Sequence, residues 1–308
     1  MATKSPVSAG YLKSFDASER LQMSAALIRE RALSDEILVA PGVYDMMSLL
    51  LANRHGFGAH YLSGYWNAAA TMGEPDLSIA GYRDFITPFA RMAEKSTAPL
   101  IADADTGFGS LASLDHCVRG YQRAGIAAIQ LEDQPFPKKC GHFDGVPVVA
   151  ASEMCARIKV AVEARGNGDM VVIARTDACG AEGLASAIDR LHSYAEAGAD
   201  WLFLEAPPTR EDMAHAAQSL ELPLMINAAH GGKTPILKPS EYQALGVSVV
   251  IYPAGAPLSA SAAAEKFFTG LTQDEANPDG EDWFEFSEMN TLMGKERIEE
   301  LQKRYGSA

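Results

Sequence analysis

Eight short apolar runs recur along the chain, each followed by an amphipathic stretch. The runs are Ile37–Ala40, Ala59–Ser63, Pro99–Asp105, Ala127–Glu132, Val171–Thr176, Trp201–Glu205, Leu222–Asn227 and Val247–Tyr252. Helical periodicity follows them in Tyr44–Asn53, Gly81–Lys95, Leu111–Ala124, Ala151–Arg165, Ala181–Ala197, Arg210–Ser219, Pro239–Leu245 and Ser259–Leu271. A strand apolar on both faces needs cover on both sides, and strands joined through helices run parallel. Eight such units in succession suit a closed barrel better than an open, doubly wound sheet. The expected class is α/β, a (β/α)8 TIM-type barrel over residues 35–272.

Two segments fall outside the eight units. Residues 17–33 read as an amphipathic helix suited to plug the barrel's amino-terminal mouth. In the helical tail, 273–308, Trp283, Phe286, Met289, Met293, Ile298, Leu301 and Tyr305 recur at helical spacing. An apolar stripe added after a barrel has closed must be buried on something, either a neighbouring subunit or its own barrel. The whole of 1–308 reads as one barrel domain with these two extensions. Lys and Arg number 26 against 40 Asp and Glu, a net charge of −14, which disfavours nucleic acid and anionic membranes as partners. No apolar run approaches the ~20 residues of a membrane span. The amino terminus lacks the apolar core of a secretory signal. The four separated cysteines form neither a zinc motif nor a disulfide framework. A cytoplasmic protein is expected.

In such a barrel, chemistry collects at the carboxyl-terminal ends of the strands and in the loops after them. Here the apolar runs give way to Ser63-Gly64-Tyr65, Asp103-Ala104-Asp105, Glu132-Asp133, Arg175-Thr176-Asp177, Glu205 and Asn227. One carboxylate at such a place is often only a helix cap. A set of them along one rim points to function. Asp103 and Asp105 share a strand face, Glu132 ends the next strand, and Asp76 in the loop GEPDLS reaches the same place. Crowded carboxylates repel one another unless a cation sits among them. Oxygen-only ligands select a hard ion, Mg2+ with Mn2+ as a substitute.

The loop after the fourth strand, QPFPKKCGHFDGVPVV from Gln134, is long and rich in Gly and Pro, the profile of an active-site lid. It carries Lys138, Lys139, Cys140, Gly141 and His142. The adjacent cations are expected to lower the Cys140 thiol pKa. No strand end offers a lysine for Schiff-base chemistry, and neither G-x-G-x-x-G nor a P-loop is present.

YLSG at 61–64, PDLS at 75–78, DADTGFG at 103–109, LEDQ at 131–134, PKKCGH at 137–142, ARTDA at 174–178 and GGKTP at 231–235 resemble the isocitrate lyase/phosphoenolpyruvate mutase superfamily. The similarity runs in order from about 35 to 272. It implies a (β/α)8 barrel whose last helix is exchanged between subunits, usually in a homotetramer. It also implies Mg2+ near Asp103, linked to Asp76, Asp105 and Glu132 through water. Ser63, Gly64, Tyr65, Arg175 and Asn227 match positions that bind the substrate's 2-oxyacid carboxylate, and Glu205 matches a glutamate of the inner pocket.

Within the superfamily, K-K-C-G-H resembles the short carbon–carbon lyases of the 2-methylisocitrate and 2,3-dimethylmalate type, and the oxaloacetate hydrolases. Retro-aldol cleavage of a 2-hydroxydicarboxylate leaves a carbanion-like enediolate that needs a proton. The resemblance makes Cys140 that acid, with Gly141 and His142 supporting the departing carboxylate. Lys139 counts with the substrate-binding residues, and Tyr61 is a candidate base. Pyruvate or a related 2-oxoacid and a carboxylic acid would be the products. The lid sequence GHFDG adds no cation for a third carboxylate, which favours a malate-type substrate over 2-methylisocitrate. Trp66 and Asn67 depart from the small residues usual after the strand-two motif. The alternatives are oxaloacetate hydrolysis to oxalate and acetate, and a non-catalytic barrel that binds 2-oxyacids. Intact Asp103, Cys140 and Arg175 speak against the second.

Overall fold

Side-chain alternation along eight short strands organises the protein. The computed structural model describes residues 17–143, 145–275 and 283–306. Strands β1 (Leu38–Val43), β2 (His60–Leu62), β3 (Leu100–Asp103), β4 (Ala128–Glu132), β5 (Val171–Thr176), β6 (Trp201–Leu204), β7 (Leu224–Asn227) and β8 (Val249–Tyr252) close into a barrel in sequence order. Every pairing is parallel, and β8 returns to β1 with Leu38 opposite Val249 and Ala40 opposite Ile251. One face of each strand fills the barrel: Leu38, Ala40, Tyr61, Ile101, Ala128, Ile173, Trp201, Phe203, Met225, Val249 and Ile251 form one buried cluster. The alternate residues, among them Leu62, Ala102, Leu131, Val172, Leu204 and Ile226, form a second cluster outward, against the helices. This is the (β/α)8 barrel that two-faced apolar strands require.

Helices α2 (Met46–Ala52), α4 (Tyr82–Lys95), α5 (Leu111–Arg123), α6 (Ala151–Arg165), α8 (Leu184–Glu196), α9 (Arg210–Ser219) and α10 (Pro239–Ala244) occupy the connections after β1 to β7. Helix α1 (Ala17–Ala32) places Ile28 and Ala32 in the interior cluster. Complete burial of Ile28 contributes about 2 kcal/mol. An ion pair from Arg29 to Asp200 (2.8 Å) and a hydrogen bond from Arg29 to the Asp169 carbonyl (3.2 Å) fix the helix there.

Two further helices differ from the sequence expectation. Helix α3 (Gly64–Met72) follows β2 directly: Ser63 caps it by accepting the Trp66 amide, and Gly73, at φ 69°, ends it. Its nine residues are too few for a periodic signal. The expected helix Ala181–Ala197 is divided into α7 (Ala178–Glu182) and α8 by Gly183 at φ 92°, a conformation that ends one helix and opens the next.

Backbone contacts group residues up to Ala256 as one unit and Pro257–Ala308 as a second. The last barrel-type helix, α11 (Gly255–Thr272), thus falls largely with the tail helices α12 (Phe286–Leu292) and α13 (Lys295–Tyr305). Within the second unit the Phe267 ring meets Trp283 edge-on at 5.5 Å. Phe268, Phe286, Met293, Ile298 and Tyr305 are exposed. Among the described residues no helix is long and apolar enough to cross a membrane.

Candidate active site

The alternation that fills the barrel also builds the site. Two residues beyond an inward Tyr61, Ile101, Ile173, Phe203 and Met225 stand Ser63, Asp103, Arg175, Glu205 and Asn227, and Glu132 stands two beyond the buried Gln130. All six are buried. The apolar interior therefore ends in a polar layer at the carboxyl-terminal mouth.

On one side of this layer lie the carboxylates. Asp103 Oδ1 accepts from the Asp105 amide (3.0 Å) and Gln130 Nε2 (3.3 Å), and Oδ2 accepts from the Gly64 amide (3.2 Å). A Cβ on Gly64 would stand 2.6 Å from the Phe85 ring and 2.8 Å from Asp103 Oδ2, so only glycine brings this amide to the carboxylate. Asp105 and Phe108 take left-handed backbone conformations (φ 46° and 59°), each costing about 1–3 kcal/mol that the surrounding contacts must offset. Glu132 is buried with Oε1 lacking a hydrogen-bond partner and Oε2 3.5 Å from Arg175. Burial raises the Glu132 pKa well above the ordinary range, against Arg175 and Lys138.

These oxygens suit a hard cation. Asp103 is oriented by three N–H donors, and Glu132 Oε1 is a buried acceptor without a hydrogen-bond partner. Among the described residues no group of three or more His, Cys, Asp or Glu is arranged to hold a metal ion, and the Lys138 ammonium lies on Asp76 and Asp105. An ion that keeps several of its waters, as Mg2+ does, needs few direct protein ligands.

Lys138 occupies an unexpected place. Its ammonium, nearly inaccessible to solvent, bridges Asp76 (2.6 Å) and Asp105 (2.9 Å). Its backbone is held as well, with Ser78 Oγ accepting from the Lys138 amide at 2.7 Å. The sequence reading set this lysine beside Cys140 to acidify it. The structure instead neutralises it on the acidic rim. Burial pushes the Cys140 thiol up to about 11, although a hydrogen bond from the His142 backbone and the charge of Arg175 draw it down. The expected lowering is thus corrected to a rise: desolvation outweighs the nearby cations.

The cationic side centres on Arg175. Its Nε and Nη2 donate to Asp177 at 3.0 and 2.8 Å, and its Nη1 faces Glu205 (3.3 Å) as well as Glu132. The guanidinium lies 5.3 Å over the Phe203 ring. Burial would raise the Glu205 pKa, but Arg175 and His142 outweigh it and hold the carboxyl at about 2. The Lys233 amide donates to His142 Nδ1 (3.1 Å), which leaves the proton on Nε2 to donate to Glu205 Oε1 at 2.8 Å. Asn227 Nδ2 also donates to Glu205 (3.2 Å), and its Oδ1 is buried without a partner.

The lid is docked over this layer. A Cβ on Gly141 would overlap Asp177 Oδ1 and Arg175 Nη2 and stand 2.8 Å from Glu205 Cγ. One on Gly232 would stand 2.7 Å from the His142 ring. Gln134 pairs with the Lys139 peptide, donating to its carbonyl (2.9 Å) and accepting its amide (3.0 Å), which shapes the turn before Cys140. The thiol is within electrostatic reach of Asp76, Arg175 and Glu205.

Tyr61 is corrected from base to support. Its hydroxyl donates to Gln130 Oε1 (2.7 Å), Gln130 in turn donates to Asp103, and burial with Asp103 holds the phenol proton. Tyr65 is half-buried, with the Trp66 ring edge-on at 4.8 Å. Asn67 turns away, donating to the Asp84 carbonyl of α4 (3.0 Å). Sequence reasoning placed Asp177 on the polar rim without a role and missed Gln130 as part of the site. Asp177 was legible as the same-face neighbour of Arg175; Gln130 carried no signal beyond being polar in an apolar strand.

The phosphoenolpyruvate phosphomutase family matches residues 28–272, four-fifths of the chain. The chain belongs to this family. A 2,3-dimethylmalate lyase from Eubacterium barkeri is 39% identical over 92% of this chain and 99% of its own. A 2-methylisocitrate lyase from Aeropyrum pernix is 41% identical over 76% of this chain and 75% of its own. Among solved structures, oxaloacetate acetylhydrolase with 3,3-difluorooxalacetate superimposes with a TM-score of 0.87 at 32% identity, covering 92% and 98% of the two chains. Phosphonopyruvate hydrolase with oxalate and Mg++ gives 0.83 at 28%, covering 92% and 99%. This family member is an enzyme, a carbon–carbon lyase by its relatives.

Proposed function

We propose that the enzyme cleaves a 2-hydroxydicarboxylate of the alkylmalate type, or the related tricarboxylate 2-methylisocitrate, in a Mg2+-dependent retro-aldol reaction, to pyruvate or a related 2-oxoacid and a carboxylic acid. The observation that carries this reading is the docked lid, with Gly141 seated on Arg175, Asp177 and Glu205 and Cys140, whose thiol burial pushes up to about 11, beside it. Asp103, with Asp76, Asp105 and Glu132 around it, would hold Mg2+, which would supply Lewis-acid stabilisation of negative charge on the substrate's 2-oxygen. Arg175 and Asn227, with Ser63 and the Gly64–Tyr65 backbone, hold the carboxylate of the 2-oxyacid half. Asp177 keeps the guanidinium in one orientation. His142 and the Gly141 amide serve the departing half, with Lys139 at the lid's edge. A carboxylate of the acidic rim takes the C2 hydroxyl proton as C2–O becomes the carbonyl; the C2–C3 bond breaks with its electron pair moving to C3, Cys140 delivers a proton there, and solvent reprotonates the thiolate once the lid opens. A thiol that holds its proton at neutral pH is the form an acid requires. Lid closure keeps water from the enediolate.

The lid segment GHFDG, without further cations, favours a malate-type substrate, and the enzyme acts in this reading on small molecules in the cytoplasm. Its relatives support cleavage, and the oxaloacetate acetylhydrolase likeness supports a second reading, hydrolysis of oxaloacetate to oxalate and acetate. An assay across alkylmalates, 2-methylisocitrate and oxaloacetate, read for pyruvate and for oxalate, separates them. Pyruvate release that stops in EDTA and returns with Mg2+ or Mn2+ is expected. Oxalate as the sole product would favour the hydrolase, and full activity in chelator would remove the metal.

A further inference from the structure

Asp133 is a fully buried carboxylate that the chemistry above does not use. It sits one residue past Glu132, where the lid leaves β4. Its Oδ1 accepts from the Asp177 amide (2.9 Å), and its Oδ2 accepts from Thr176 Oγ1 (2.6 Å) and Tyr194 Oη (2.7 Å). Its backbone carbonyl accepts from the Val149 amide (2.8 Å), which closes the base of the lid loop. Arg190 spans the same junction: Nη1 donates to the Val149 carbonyl at 2.8 Å and faces Asp133 Oδ2 at 3.5 Å. One residue therefore touches both the root of the lid and the backbone of the residue that clamps Arg175.

We propose that Asp133 is a positioning residue that sets lid closure and the orientation of Arg175 together, acting on Arg175 through Asp177. With its amide tethered, Asp177 presents both carboxylate oxygens to the guanidinium, and Asp177 Oδ1 is also one of the atoms on which Gly141 rests. An asparagine at 133 keeps one acceptor but turns a second N–H donor toward Thr176, Tyr194 and Arg190. The hydroxyls can rotate to accept; the guanidinium cannot. The junction loosens on the lid side and the clamp side at once.

This role rests on the proposed lyase reading only for its kinetic arm. That arm compares Asp133→Asn, Asp177→Asn and the double variant, using whichever substrate the panel identifies. Each single change should lower kcat/KM by roughly tenfold to a hundredfold, mostly in kcat. The double variant should be no worse than the worse single one, because residues acting through one group are not additive. The second arm needs no substrate: peptide-resolved alkylation of Cys140 in the free enzyme should run several-fold faster in Asp133→Asn, as the lid opens more often. Tyr194→Phe, which removes one donor and keeps the carboxylate, should move both readouts the same way by less, and carries the test if Asp133→Asn does not fold. Multiplied losses in the double variant, or an unchanged Cys140 alkylation rate in folded Asp133→Asn or Tyr194→Phe, would overturn the proposal. A wild-type enzyme that cleaves none of the panel would overturn the lyase reading and leave the alkylation arm decisive for this one.

Discussion

Cys140 shows how one side chain's environment decides its chemistry. A thiol beside two lysines in sequence suggests a thiolate, yet Lys138 is engaged by Asp76 and Asp105, and burial pushes the thiol up to about 11. The fold thus favours the neutral form. Stability from this group is complete below the ordinary thiol range and is lost as pH rises from about 9 toward 11. Alkylation of Cys140 should accordingly keep rising, by roughly tenfold per pH unit, well past pH 9; a plateau near neutrality would mean that the lysines dominate. Activity should show no loss at pH 8–9 from the acid giving up its proton. Linear order put the lysines and the cysteine together, and only the three-dimensional path of the lid sets Lys138 on the acidic rim. Asp103, Glu132, Arg175, Glu205 and Asn227 were legible because each follows an inward residue by two. Tyr61 was misread because nothing in its run shows that Gln130 receives its hydroxyl.

At the scale of elements, strands and most helices follow from apolar period and length, while the lid follows from contacts distant in sequence. Residues 134–148 meet Ser78, Arg175, Asp177, Glu205 and the 231–235 loop, and two glycines make the fit possible. Gly141→Ala should prop the lid off Arg175 and lower kcat/KM by about a hundredfold, the cost typical of displacing catalytic groups by an ångström. Thermal stability should change little, because Gly141 itself lies outside both apolar clusters. Near-wild-type kinetics would show that the docked position is not the reactive one. Helices α3 and α7 escaped the sequence reading because capping by Ser63 and the turn at Gly183, rather than periodicity, define them.

The first unit buries the strand faces in the barrel interior and the helix layer, and α1 adds Ile28 and Ala32 to the interior cluster. In the second unit Phe268, Phe286, Ile298 and Tyr305 are exposed. We propose a homo-oligomer, a tetramer with carboxyl-terminal helices packed across subunits, and light scattering at micromolar concentration should give a multiple of the chain mass. A monomer would contradict it. If the docked lid supplies the proton that completes carbon–carbon cleavage, turnover by Cys140→Ser, measured beside pyruvate affinity in the same variant, should reveal it. The serine hydroxyl is far less acidic, so kcat should fall by about 10² to 10⁴ while pyruvate binding, held by Ser63 and Arg175, stays within a few-fold of wild type. Near-wild-type turnover in the serine variant would contradict the account.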